Sequence, residues 1–198
     1  MVMVRNKTVT QVPPVPGPGQ PPALPVVFTI GHSTRDIDRF IALLEREHIQ
    51  HIADVRSFPG SRRNPQYGRE ALAASLTEHG IGYSHHPELG GRRRTRPDSP
   101  NGAWRNDSFR GYADYMLTPA FATALDALLD LAARQRTAIM CAEAVPWRCH
   151  RSLISDALVA RGVNVQHILD ARTEPHHLTP FAVVRDGVLY YPPEQTEL

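Results

Sequence analysis

The stretch from Met140 to Arg151, Met-Cys-Ala-Glu-Ala-Val-Pro-Trp-Arg-Cys-His-Arg, constrains this chain more than any other. Before it, Thr137 to Met140 is an apolar run of strand length. After it, Ile154, Ala157, Leu158 and Arg161 fall at helical spacing, and Gly162 supplies a stop. The order is therefore strand, loop, helix. In open α/β sheets, ligands sit outside the carboxyl ends of the strands, at loops of this kind. This loop holds both cysteines of the chain, Cys141 and Cys149, together with Glu143, Arg148, His150 and Arg151.

The flanking chain repeats the alternation of strand and helix. Val26 to Ile30 reads as a buried strand, followed by Gly31-His-Ser-Thr34 and a helix with Ile37, Phe40, Ile41 and Leu44 on one face. Ser33 or Thr34 is placed to cap that helix. His51 to Val55 is a second strand, Glu70 to His79 a short helix stopped by Gly80, and Ile81 to His86 a third strand. Asn106 to Ser108 and Thr118-Pro119 are helix starts, the second opening a stripe of Phe121, Leu125, Leu128 and Ala132. Asn164 to Leu169 is a fifth strand. Phe181 to Val184 and Val188 to Tyr191 flank Asp186-Gly187, a hairpin turn signal. These elements predict an α/β fold: a mostly parallel sheet of about five strands, helices on both faces, and a C-terminal β-hairpin.

A length of 198 residues suits one domain, expected over 25–198. Residues 1–24 are expected to form a disordered leader, because Gln11 to Pro22 is too proline-rich for helix or sheet. The formal net charge of +2 rules out a polycation, so a nucleic-acid case rests on local charge. Two cysteines make no secreted disulfide scaffold, and no apolar run could span a bilayer, so a soluble cytoplasmic protein without a membrane partner is expected.

Local charge is present. Residues 92 to 110 carry six arginines against Asp98 and Asp107, with Trp104 and Phe109 among them. Cations beside aromatics suit phosphate neutralisation and base stacking, while the plainer reading is a solvated loop. Asp54 and Arg56 point to one face of a strand end, as a structural pair or as part of an anion site with Arg62 and Arg63. His32 and Ser33 follow the first strand, and Gly31 lets the backbone approach a ligand, or a turn, closely.

Three readings of the cysteine loop stay open. One cysteine is a nucleophile with His150 or Glu143 handling protons. Alternatively Cys141, Cys149 and His150 bind a metal, with a fourth ligand from His32, His85 or His86. Or the cysteines pack in the core while Glu143, His150 and Arg151 do the polar work. The candidate catalytic residues are Cys141, Glu143, Cys149, His150 and Asp54. The candidate ligand-binding residues are His32, Ser33, Arg56, Arg62, Arg63, Arg92, Trp104 and Arg151. The sequence requires no cofactor, and a metal is the less favoured alternative.

Five motifs occur together: Thr29-Ile-Gly-His-Ser33, Asp54-Val-Arg-Ser-Phe-Pro59, Ser61-Arg-Arg-Asn-Pro65, Glu88-Leu-Gly-Gly91 and Cys141-x-Glu-x-x-Pro-x-x-Cys-His-Arg151. In this order they resemble the domain-of-unknown-function family numbered 488, over roughly residues 26–170. The resemblance implies an α/β domain whose motif residues gather at one site, with an unassigned enzymatic role. A weaker likeness runs to rhodaneses, through Asp-Val-Arg after one strand and Cys after a later one. Here the loop is longer, poor in glycine and carries a second cysteine, which argues against persulfide transfer.

Three functions follow. The favoured one is an enzyme acting on an anionic nucleotide, nucleobase or nucleic acid. The second is a sulfur-transfer or redox enzyme using Cys141 with Cys149 as resolving partner. The third is a non-catalytic module that binds nucleic acid or protein through the 92–110 loop.

Overall fold

The computed structural model describes residues 25–60 and 62–194. The expected leader over 1–24, and Ser61 of the Ser61–Pro65 motif, lie outside the described residues.

Five parallel strands form the centre: β1 (Val26–Gly31), β2 (His51–Asp54), β3 (Gly82–His85), β4 (Thr137–Cys141) and β5 (Asn164–Ile168). A sixth, β6 (Thr173–Pro175), pairs antiparallel with β5 and closes that edge, giving the order β3-β2-β4-β1-β5-β6. The hairpin β7 (Val183–Arg185) and β8 (Val188–Tyr190) forms a separate two-stranded sheet. Its turn places Asp186 and Gly187 at φ 52° and 76°, the left-handed pair that a tight turn needs.

Helices α1 (Ile37–Arg46) and α2 (Arg69–Glu78) lie on one face of the sheet. Helices α3 (Asp107–Met116), α4 (Pro119–Arg134) and α5 (Arg151–Ala160) lie on the other. The strand order requires this division. Connections from β1 to β2 to β3 run toward one edge, and those from β3 to β4 to β5 run back. Crossovers of one hand must then use opposite faces. Alternate residues of each strand serve the two cores. Val27, Ala53, Ile139 and Val165 face α3 to α5. Phe28, Ile30, Ile52, Ala138 and Met140 face α1 and α2. Strands covered on both faces read as continuous apolar runs, which is why their sequences do not alternate.

The helix starts follow from their caps. Asn106 accepts from Ser108 N, and Thr118 accepts from Phe121 N ahead of Pro119. Helix α1 departs from expectation. Its cap is Asp36, whose side chain accepts from Arg39 N at 2.7 Å. Ser33 sits instead at φ 53°, with its N–H bonded to Ala142 O, so the chain is still leaving the sheet there.

Candidate functional site

The carboxyl ends of β1, β2 and β4 lie side by side, because β4 pairs with both β1 and β2. Above them is an open cleft of about 900 Å³. It is lined from three sides: His32 and Ser33 after β1, Arg56, Phe58 and Arg63 after β2, and Cys141, Glu143, Arg148, Cys149 and His150 around β4 and α5. Gly91 and Arg92 complete the rim. A smaller cavity of about 340 Å³, between α4, α5 and the hairpin, is lined largely by apolar side chains such as Phe121, Leu125 and Leu189.

The floor is a buried ion pair. Arg56 Nε donates to Asp54 Oδ1 at 2.9 Å, and Arg56 Nη2 donates to Oδ2 at 2.6 Å. Tyr83 Oη donates to the same Oδ2 at 2.7 Å. Asp54 is fully buried beneath the cleft and does not line it. A carboxylate this fully occupied holds Arg56 in place and is poorly disposed to abstract a proton. Arg56 Nη1 donates to Tyr67 O at 2.9 Å and approaches His32 Nε2 at 3.3 Å. His32 stacks on Tyr67 with ring centres 4.1 Å apart, and its Nδ1–H donates to Ser33 O at 2.8 Å. Burial pushes the His32 pKa down to about 4, so the ring is neutral at physiological pH.

The cysteine loop is pinned from below by Arg151. This side chain is buried, donating from Nη1 to Thr29 Oγ1 at 3.0 Å and from Nη2 to Glu143 O at 2.6 Å. Its Nε is buried without a partner among the described residues. A chain of bonds runs on behind it. Thr29 Oγ1 donates to His167 Nδ1 at 2.7 Å, His167 Nε2 to His176 Nδ1 at 2.9 Å, and His176 Nε2 to Asp156 Oδ1 at 2.8 Å. Burial, followed by the neighbouring His176, drives the His167 pKa down to about 3.

Cys141 ends β4, and Cys149 precedes α5. Both are buried and free, yet both line the cleft. Arg151 N–H points to Cys149 Sγ at 3.5 Å. His150 Nδ1 lies 3.9 Å from Cys141 Sγ and 3.7 Å from Cys149 Sγ. His150 Nε2–H donates to Val55 O at 3.2 Å, which leaves Nδ1 as the lone-pair nitrogen facing the two sulfurs. The hydrogen bond from Cys141 holds the Cys149 thiol well below its usual range, helped by His150 and Arg151. That same bond, with burial, holds the Cys141 thiol well above it.

Most of the residues expected at the site therefore meet there. Arg62 is exposed and outside the cleft lining. Trp104 also lies elsewhere, packed against Phe109 at 4.9 Å, Phe181 at 4.9 Å and Tyr191 at 5.4 Å. Much of the basic loop is engaged internally. Arg93 lies over the Tyr115 ring, Arg96 pairs with Asp98, and Arg110 pairs with Asp107. Buried Asp114 accepts from Arg96 N, Ser99 Oγ and Asn101 Nδ2, tying the loop to α3. None of the expected fourth metal ligands stands with Cys141, Cys149 and His150. His32 faces Arg56, His85 Nε2 donates to Arg56 O, and His86 Nε2 lies 2.8 Å from Ser84 Oγ. Sequence reading missed Tyr67, Tyr83 and Phe58 as parts of the site. The sequence signal for Phe58 is an aromatic set between Arg56 and Pro59.

A mostly parallel α/β sheet with its polar cleft outside the strand ends places this chain among the open-sheet α/β domains. Within that class it belongs to the family described as Domain of unknown function DUF488, whose model matches residues 36–158. The match takes in the Asp54, Gly91 and Cys141–Arg151 motifs and leaves His32 and Ser33 just outside. No curated protein and no solved structure matches the chain at a significant level. No single helix among the described residues is long and apolar enough to cross a membrane.

Proposed function

We propose that this chain is a cytoplasmic enzyme that binds an anionic ligand of the nucleotide, nucleobase or nucleic-acid class in the cleft and acts on it at the Cys141–Cys149–His150 cluster. The observation that carries this reading is the convergence of three arginine side chains, Arg63, Arg92 and Arg148, on one cleft. Arg63, Arg92 and Arg148, all on the cleft, have no carboxylate within ion-pair distance among the described residues. Guanidinium groups left unpaired around one concavity suit phosphate or carboxylate oxygens. Phe58 is 70% exposed beside them, with Arg92 over its ring, and offers a face for a base.

The test is calorimetric titration of nucleoside monophosphates and a short single-stranded oligonucleotide at low salt. Binding should weaken with salt and fall about tenfold or more in Arg63→Ala and in Arg92→Ala. Neither ligand binding at low salt, or affinity indifferent to both substitutions, would remove the proposal. A second reading, thiol chemistry, draws on the closeness of two free sulfurs. Its expected roles then reverse: Cys149, facing Arg151 N–H, is the nucleophile, and Cys141 the partner. The binding-module reading loses support because Arg93, Arg96, Arg110 and Trp104 are already engaged within the chain.

A further inference from the structure

We propose that Cys141 Sγ, Cys149 Sγ and His150 Nδ1 form a three-ligand site for a zinc-type divalent cation, with its fourth position open to the cleft. The three donor atoms all lie within 4.8 Å of one another. A tetrahedral ion with bonds of about 2.3 Å to sulfur and 2.0–2.1 Å to nitrogen needs its sulfur and nitrogen ligands roughly 3.6 Å apart. His150 Nδ1 lies 3.9 Å from one sulfur and 3.7 Å from the other, within a few tenths of that edge.

The surroundings fit as closely as the edges. Metal-bound imidazole usually donates its other N–H to a carbonyl or carboxylate, which fixes the tautomer. Here Nε2–H donates to Val55 O, which leaves the lone pair on Nδ1, the nitrogen near both sulfurs. The backbone N–H of Arg151 points to Cys149 Sγ, the support that a metal thiolate accepts. Gly91 packs against the imidazole so closely that an added Cβ would lie 2.5 Å from Nδ1, so the ring position is set. Thiolate and imidazole donors select zinc-type ions over magnesium or calcium.

The same geometry decides between a closed and an open site. Among the described residues no fourth histidine, cysteine or carboxylate joins Cys141, Cys149 and His150 in the group. Three protein ligands and an accessible fourth position are the pattern of a catalytic centre, whereas structural zinc takes four. The cleft, with Glu143 on its wall, gives that position access to solvent and ligand.

The experiment uses the full chain, reduced under anaerobic conditions, and titrates it with Co²⁺ alone, then Zn²⁺. We expect one equivalent of cobalt, intense bands of a tetrahedral site with a thiolate charge-transfer band, and displacement by zinc. Cys141→Ser, Cys149→Ser and His150→Ala should each lower affinity by more than about 100-fold, since changes behind the ligands alone cost 10–100-fold. Azide should shift the cobalt bands if the fourth position is open, and unmoved bands would overturn that part. Absence of a charge-transfer band in the reduced wild-type chain would overturn the site, as would uptake surviving both serine substitutions. Because the wild-type titration stands alone, a variant that fails to fold does not shelter the proposal. The metal site does not depend on the nucleotide reading: loss of cobalt binding leaves the arginine titrations standing, and the converse also holds.

Discussion

Gly31 lacks a side chain where the cysteine loop crosses β1. A Cβ there would lie 1.7 Å from Glu143 O and 2.8 Å from Arg151 Nη2. The first of these is backbone, so nothing flexible can give way. Gly31→Ala should therefore cost about 3 kcal/mol or more by urea denaturation, above the usual overpacking penalty. Beneath the cleft, Asp54→Asn keeps the shape but leaves Arg56 buried without its countercharge. Breaking a buried pair costs about 3–5 kcal/mol, whereas Tyr83→Phe removes one hydrogen bond and should cost about 1 kcal/mol. If Asp54→Asn is as mild as Tyr83→Phe, the structural role given to Asp54 is wrong. At this scale the sequence showed which residues were chemically unusual, but not which were committed. Asp54 reads in the chain either as a structural partner of Arg56 or as a catalytic acid, and its fully occupied carboxylate fits the first.

Helix boundaries were legible wherever a cap and a stripe coincide. Thr118-Pro119 before Phe121, Leu125 and Leu128 is such a case, and α4 begins there. The start of α1 was misplaced because Ser33 and Thr34 are equally good capping types. A tertiary contact, Ser33 N–H to Ala142 O, holds the chain in the sheet a few residues longer. Asp36→Ala should then lower stability by about 1 kcal/mol, while Thr34→Ala should change it little, compared by thermal melting. Equal effects would move the cap back to the earlier position. Strand β6 escaped notice because Thr-Glu-Pro carries no alternation and owes its form to pairing with β5.

Across the whole molecule, acid acts on buried neutral histidines, of which His32 is one and His167, in the buried chain behind Arg151, has the lower pKa. His167 faces Thr29, His176 and the positive charge of Arg151, with Asp156 beyond His176. Its pKa falls from 6.5 to about 3 on folding. Below pH 6.5 the unfolded chain takes up a proton that the folded chain refuses. Stability from this group is thus complete above 6.5 and declines as pH falls toward 3, by up to about 1.4 kcal/mol per pH unit. Denaturant midpoints measured from pH 7 to 4 should fall, and His167→Asn should flatten that decline. A slope unchanged by the substitution would place the acid sensitivity elsewhere.

Local pattern determined the class of fold, the hairpin, most helix starts and the crowding of chemistry between Cys141 and Arg151, because periodicity, caps and turn residues act over a few neighbours. Only the tertiary structure decided that Arg63, Arg92 and Arg148 share one cleft while Arg93, Arg96 and Arg110 are engaged elsewhere. It also turned His150 Nδ1 toward both sulfurs and drew Trp104 away into an aromatic cluster. Such choices depend on which strand ends become neighbours, and β1, β2 and β4 are brought together by crossovers that no local stretch of chain encodes.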